Sequence, residues 1–599
     1  MVKFASLLLA LPAVYAFECR PEGRIVPAPR DLTKSKVFKD ALANFTASLD
    51  GVFKGKVRVG WETKNVSLSM GLVHTGQDKP TKPLWEYHHL GSANVNGTKH
   101  LDRHSQYLVG SVSKVITDAI LLRSGVDPDT PVTKYLTKLN ASESIIDWNS
   151  ITLRALGGQL SGIPANYGFS EYHYIKTYFE ALGFPHINDT SYPPCGVIGL
   201  NTECTADQML TGMLTAHPQS APELRPVYSN IAYTFLALAL EAATGKNYTV
   251  QLQDYLSTPL NMPSTFPSPG DDKLAVIPPV ESTWGSPYGI NAPGGGLVST
   301  LADLSAFLHA ILTRSPHLAE DPTDILAWLQ PRTFSGSHSG AVGLPWEIFR
   351  PHPSLLFPHY DPVAETGGHT VSIYAKDGAA YGYHARIALL DEYGVGLVLL
   401  TAGDQDALGD VYDAALTVLV PALEQAAREQ AEQQYTGSFR GVSSEETGGV
   451  VVNATTELDG TSLLLTGLWR NGSDIISGYR QLWDVTLSPF LPSMELTDKF
   501  RIYPTEMERK KTLGDGREVV EEDWRLWYVL DRESVSELPG KGLSNNDCLT
   551  WTLTDWLYYG NEPADRFVFT KDAKTGEVLA FDAPFLRSGA MDKVKVGEC

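Results

Sequence analysis

The segment Gly110-Ser111-Val112-Ser113-Lys114 puts a hydroxyl and an amine three residues apart at the start of an apolar run. On a helix, positions three apart share a face, so the Lys114 amine can sit beside the Ser111 hydroxyl. A serine hydroxyl attacks a carbonyl poorly until a neighbouring base takes its proton. A buried lysine, its ammonium disfavoured by low dielectric, can be that base. The other reading makes Ser111 a helix N-cap and Lys114 a first-turn surface charge. A cation near the positive end of a helix is mildly unfavourable, so a further reason for Lys114 is needed.

A second triplet, Tyr228-Ser229-Asn230, precedes another apolar stretch. Ser229 or Asn230 could cap that helix. Taken together, Ser111-Val112-Ser113-Lys114 and Tyr228-Ser229-Asn230 resemble the first two boxes of class C beta-lactamases and their relatives, among them D-alanyl carboxypeptidases, D-amino-acid amidases and family VIII esterases. Two further stretches carry the resemblance: Ile151-Thr152-Leu153-Arg154 running to Ser161-Gly162-Ile163-Pro164, and Gly294-Gly295-Gly296-Leu297-Val298-Ser299-Thr300. Both read physically as turn plus helix cap. The resemblance covers residues from about 50 to 420.

Two segments compete for the third box, Glu365-Thr366-Gly367 and Lys376-Asp377-Gly378. The second has the lysine, and Gly382-Tyr383 follows it as the family's pattern leads into the next strand. The first would need a long insertion before that strand. Lactam-recognising relatives carry a hydroxyl where this chain has Asp377. Like charges about 4 Å apart repel by roughly 1 kcal/mol in water and by more once desolvated. Asp377 is therefore expected to disfavour carboxylate-bearing substrates and to leave uncharged esters, amides, lactones or amine-bearing substrates.

The resemblance implies a serine hydrolase or acyltransferase working through an acyl-enzyme on a small-molecule acyl substrate, with no cofactor and no metal. Ser111 would be the nucleophile, activated by Lys114 and Tyr228. The backbone N–H groups of Ser111 and Ala379 would form the oxyanion hole. Asn230 would orient the acyl group, and Lys376, Asp377, Gly378 and Ala379 would line the substrate. Two rivals keep the same fold: a secreted glycoprotein without turnover, for which Asp377 is the only support, and a tailoring acyltransferase or cyclase of secondary metabolism.

These residues need elements to hold them. From about residue 50 to 430, strand-like runs such as Val57-Arg58-Val59-Gly60-Trp61 alternate with helix-like ones, Val115 to Leu122 and Thr234 to Ala243. Val371 to Ala375, Arg386 to Leu390 and Val395 to Thr401 read as an antiparallel meander. A long Ala- and Glu-rich helix, about Ala407 to Gln434, closes the block. From Tyr435, short alternating runs (Val450-Val451-Val452, Ser462 to Leu465, Arg525 to Leu530, Phe567-Val568-Phe569) separated by turn residues read as all-β. The expected fold class is α+β: a helical subdomain on a mostly antiparallel sheet, the beta-lactamase/transpeptidase-like fold, followed by a β-barrel or sandwich. The expected segments are 1–16 as signal peptide, 17–434 as catalytic domain with an N-terminal lead-in, and 435–599 as the β domain.

The 599 residues suffice for a large core plus a second domain, and a net charge of −21 argues against nucleic acid or anionic membrane partners. Lys3, the apolar run Phe4 to Leu11 and Val14-Tyr15-Ala16 read as a signal peptide. That run is short of the roughly 20 residues that span a bilayer, and no other stretch reaches it. Sequons at Asn44, Asn65, Asn96, Asn140, Asn188, Asn247, Asn453 and Asn471 suit a glycosylated, secreted chain. In an oxidising compartment Cys195 would pair with Cys204 and Cys548 with Cys599, leaving Cys19 over. Nothing in the sequence sets an oligomeric state.

Overall fold

The computed structural model describes residues 20–142, 144–168, 175–196, 202–361, 367–442, 449–492, 494–532, 538–539, 548 and 550–594. The signal-peptide segment lies outside them, as do Cys19 and Cys599. The chain forms two compact units, one of residues 39–352 and 370–419, the other of residues up to 38, 353–369 and from 420 onward.

The first unit is built on one antiparallel sheet of eight strands. In spatial order these are Trp85–His89, Ser67–His74, Val395–Ala402, Tyr383–Leu390, Ile373–Ala380, Glu347–Phe349, Gly340–Val342 and Thr333–Phe334. Ser67–His74 and Val395–Ala402 are buried at all eight positions, which explains their near-continuous apolar and small residues. The helix Leu301–Leu312 packs on these two strands. The helices Ser113–Ser124 and Ile231–Thr244 contact each other and share one apolar core with the sheet. This is the expected helical layer on a mostly antiparallel sheet.

The meander is present as Ile373–Ala380, Tyr383–Leu390 and Val395–Ala402. Its first strand differs from expectation in extent, running through Lys376-Asp377-Gly378 and turning only at Gly382, whose φ of +86° suits the absence of a side chain. Val57 to Trp61 is not a strand. The N–H groups of Lys56 and Val57 close on the Gly51 carbonyl to end the helix Lys36–Phe53. Trp61 is buried and donates to Asp410 at 3.0 Å. Alternating residue types alone misled here, because no partner strand takes the backbone. Cys195 and Cys204 form the expected disulfide, with Cα atoms 4.9 Å apart. Cys548 is disulfide-bonded too, and its expected partner Cys599 lies outside the described residues.

The second unit contains a closed barrel of eight strands. Gly437–Val442, Met591–Lys593, Val578–Asp582, Arg566–Asp572, Glu518–Arg532, Met494–Thr512 and Leu463–Arg470 follow in order, and Val451–Leu458 pairs with both ends. Closure, rather than a sandwich, removes the unpaired edges that open sheets must protect. Aromatic rings fill it, with Trp524 5.1 Å from Tyr435 and 5.2 Å from Phe569 between ring centres. The buried Lys571 reaches Glu522 and, at 3.2 Å, Glu508; Glu522 also accepts from Tyr435 at 2.7 Å. The all-β expectation missed one helix, Ile475–Thr486, opened by Asp474, whose carboxylate accepts from the N–H groups of Ile476 and Ser477. Among the described residues, no helix is long and apolar enough to cross a membrane.

Candidate functional site

The Ser113–Ser124 helix does not begin on Ser111. Gly110–Val112 forms a 3-10 turn first, and Val112, which caps nothing with its side chain, leads into the helix. Ser111 is thereby free of the capping role. Its Oγ lies 3.0 Å from Lys114 Nζ and accepts from the Tyr228 hydroxyl at 2.7 Å. The surface-charge reading of Lys114 fails as well, since Lys114 is fully buried at 0% exposure.

Three groups surround the Lys114 amine: Ser111 Oγ, Asn230 Oδ1 at 2.8 Å and the Gly294 carbonyl. An ammonium donates to all three. A neutral amine has two N–H groups and one lone pair. Asn230 and Gly294 can only accept, so they take the two N–H groups and the lone pair is left for the Ser111 proton. Asn230 is held in the orientation this needs, because its Nδ2 donates to Asn166 Oδ1 at 2.9 Å. Burial, with the Lys376 charge adding to it, holds the Lys114 amine well below the ordinary lysine range, while Glu347 and Asp118 act the other way. Asp118, one turn along, is pushed up to about 8 by burial. Its carboxyl group accepts from Tyr233 at 2.8 Å.

The two stretches read as turns and caps position this cluster. The Ser113 hydroxyl donates to Gly110 O at 2.6 Å and accepts from Leu297 N at 3.1 Å, tying the glycine-rich segment to the Ser111 turn. Gln159 accepts from Ser229 N at 2.6 Å, and Ser229 Oγ donates to Pro164 O at 2.7 Å. Ser229 Oγ also accepts from Ala232 N at 3.1 Å, so within the Tyr-Ser-Asn triplet the capping reading holds for Ser229.

The sheet supplies the opposite wall. Strand Ile373–Ala380 packs on the 3-10 turn so closely that a Cβ at Gly378 would stand 2.1 Å from Val109 O and 3.0 Å from Ser111 N. A Cβ at Gly110, where φ is +50°, would stand 2.5 Å from Ala379 N. Two glycines thus bring the Ser111 and Ala379 backbones together. Gly378→Ala is expected to push the strand off the turn and cut ester kcat/KM by about a hundredfold, since displacements near 1 Å carry costs of that size. Thermal unfolding run alongside the kinetics separates this from general instability; a loss under threefold would mean the close approach is not needed.

Lys376 is buried and donates to Glu347 Oε1 at 2.5 Å and to the Asp377 carbonyl at 2.8 Å, with its Nζ 5.3 Å from the Tyr228 ring centre. Asp377 requires a correction. Its carboxylate is not an uncompensated charge facing substrate but is gripped by both arms of Arg386, at 3.0 and 2.9 Å. Asp377 and Arg386 are direct partners across the hairpin. Arg386 itself lies 4.4 Å over the Tyr412 ring. Of the rival segment, Glu365 and Thr366 lie outside the described residues.

A cavity of about 730 Å³ opens at Ser111, lined by Tyr228, Asn230, Tyr288, Ala379 and Tyr381 among others. Sequence reasoning missed Asn166, Glu347 and the Gly294 carbonyl. Asn166 lies two residues past the Ser161–Pro164 stretch, so proximity to a motif was its one signal. Glu347 reaches the site by strand pairing and had none, while the Gly294 carbonyl belongs to the glycine-rich stretch that carried the resemblance but was read only as turn and cap.

The family described as Beta-lactamase matches residues 58–422. The chain belongs to the beta-lactamase family. The part of this beta-lactamase-family chain after the match, residues 427–594, fits the family described as "Beta-lactamase-like-like, C-terminal domain". Its relatives include a "Beta-lactamase-like protein" of Arthroderma benhamiae, 43% identical over 588 residues and covering 96% of both chains. Another is a "Probable hydrolase M10" of Phoma sp., 27% identical over 83% of this chain and 80% of that one. A third is a "Probable hydrolase clz13" of Cochliobolus lunatus, 24% identical over 94% of this chain and 90% of that one. Hydrolase chemistry is what the family of this beta-lactamase-like chain supports.

Proposed function

We propose that this chain is a secreted serine hydrolase or acyltransferase that forms an acyl-enzyme on Ser111 from esters, amides or lactones. The observation that carries the reading is the convergence on one oxygen: Ser111 Oγ stands at 3.0 Å from a buried amine and at 2.7 Å from a phenol. Lys114, neutral, takes the Ser111 proton as Oγ bonds to the substrate carbonyl carbon. The carbonyl oxygen gains the negative charge and is met by the N–H groups of Ser111 and Ala379. The proton passes by way of Tyr228 to the leaving alcohol or amine as its bond to carbon breaks. Water, or an acceptor alcohol or amine, then attacks the acyl carbon, and Ser111 regains its proton. Asn230 holds both Lys114 and the acyl group.

Secretion rests on residues 1–16 as a signal peptide. The sequon asparagines support it: Asn44, Asn96, Asn140, Asn188, Asn247 and Asn471 are exposed, and Asn65 and Asn453 are half-buried. Labelling with a fluorophosphonate followed by peptide mapping tests the central claim. A single adduct on the Ser111 peptide is expected; an adduct on another serine, or none on folded protein, would sink it.

A further inference from the structure

The strand that carries the Ala379 N–H ends in a two-residue turn, Tyr381-Gly382, closed where Ala380 pairs with Tyr383. The backbone of this turn is pinned. The Tyr381 carbonyl accepts from the Thr283 N–H at 3.1 Å, and a Cβ at Gly382 would stand 2.6 Å from Ser282 Cβ. Beyond the turn, Tyr383 is buried and donates to the Val276 carbonyl at 2.8 Å. The Tyr381 ring, by contrast, is 58% exposed, and it lines the cavity that opens at Ser111. Thr283 also holds a second aromatic wall of that cavity, its Oγ1 lying 3.0 Å from the Tyr288 hydroxyl. Tyr288 sits so close on the glycine-rich stretch that a Cβ at Gly296 would stand 2.3 Å from Tyr288 Cβ.

We propose that Tyr381 is the platform on which the acyl group lies, and that the site selects acyl groups carrying an aromatic ring a short chain away from the scissile carbonyl. This rests on the reading of Ser111 as nucleophile. The order of residues along the strand decides which half of the substrate meets the ring. Tyr228 stands at the Lys376 end, its ring centre 5.3 Å from Lys376 Nζ. Ala379 follows three residues on, and Tyr381 lies two residues past it, about 7 Å further at the rise of an extended chain. Tyr228 passes the proton to the leaving group, so that group departs at the Lys376 end and the acyl group extends toward Tyr381. A ring presented on a pinned turn offers its face at little conformational cost, and ring-on-ring contact adds to the area it covers. Tyr381 moves no proton and makes no bond; it determines specificity.

The test uses two nitrophenyl esters with the full-length protein, one phenylpropanoyl and one butanoyl. Wild type is expected to favour the phenylpropanoyl ester by about tenfold to a hundredfold in kcat/KM, the worth of covering a ring. In Tyr381→Ala that preference should fall by about fivefold or more, while Tyr381→Phe, which keeps the ring, should hold it within about twofold. A general loss of structure lowers both esters together and does not move the ratio. A wild type without the preference, a smaller fall in Tyr381→Ala, or a Tyr381→Phe ratio nearer that of the alanine variant would overturn the proposal. Moving the ring to the alcohol, as phenylpropyl against butyl acetate, should give a ratio that Tyr381→Ala leaves unchanged. A change there puts Tyr381 beside the leaving group and overturns the proposal too. The Ser111→Ala protein separates the two failures. Turnover that survives in it refutes the nucleophile, whereas turnover that vanishes beside an unmoved ratio refutes only the role of Tyr381.

Discussion

Ser111→Ala is expected to lower ester kcat/KM by at least about 10⁴-fold, because nucleophile deletions in serine hydrolases reach losses near 10⁶ in kcat. The folded state should hardly notice. Ser111 caps no helix, and its two side-chain partners, Lys114 and Tyr228, keep other contacts: Lys114 retains Asn230 and Gly294. Tyr228 is 44% exposed and can turn its hydroxyl to water. The cost in stability is therefore expected at or below about 1 kcal/mol, the size of one hydrogen bond in folding. Steady-state kinetics and thermal unfolding on the same preparation check both halves. A variant that keeps a tenth of wild-type turnover would place the chemistry on another residue.

Lys114→Met should cost about 10²–10⁴-fold in kcat/KM, the usual worth of a positioned general base. Methionine approximates the lysine stem and avoids stranding a charge in a fully buried place. Lys114→Arg should fail as badly, since a guanidinium stays charged and cannot accept the Ser111 proton. The wild-type pH profile carries the same claim with a sign. Lys114 works only when deprotonated, so kcat/KM should rise with pH as the ammonium titrates. Burial and the Lys376 charge hold that titration well below the ordinary lysine range, so the plateau should be reached far short of pH 10.5. Glu347 opposes the lowering. Removing its charge in Glu347→Gln should thus move the acid limb to lower pH. A profile still climbing at pH 10, or an acid limb that shifts upward in Glu347→Gln, would contradict Lys114 as the base.

What could be read in the sequence was whatever local geometry alone determines. Ser111 and Lys114 share a face because a helix turns as it does, and Tyr228-Ser229-Asn230 is one short segment, so spacing sufficed. The tertiary partners were hidden. Glu347 meets Lys376 because its strand pairs with Ile373–Ala380, Glu347 lying opposite Ala375. Nothing near residue 347 signals that. Asp377 was misjudged for the same reason: its partner Arg386 is fixed by a hairpin register that turns at Gly382, which the sequence offered only as a strand lead-in. In the C-terminal part, Ile475, Tyr479 and Trp483 recur at helical spacing after Asp474, a helix signal outweighed by the surrounding β pattern. The long hairpin of Met494–Thr512 and Glu518–Arg532 was obscured by charge, since Glu508, Arg509, Lys510 and Lys511 are all exposed and break the apolar alternation.

The barrel-bearing unit is drawn from three separate stretches of chain, and this bears on how it can be inherited or moved. Its strands fall within residues 437–593, so a single gene fragment could encode the closed ring. Such a fragment would leave two companions behind. Residues before Phe38 contribute Arg24, which pairs with Glu506 at 3.4 Å, and Arg30, whose backbone N–H donates to Gln430 at 2.9 Å. Residues 353–369 contribute Phe357, stacked 5.9 Å from His369, which in turn stands 3.6 Å from Glu424. One crossover point cannot carry all three, so exchange of this unit between genes requires the interleaved chain to travel with it.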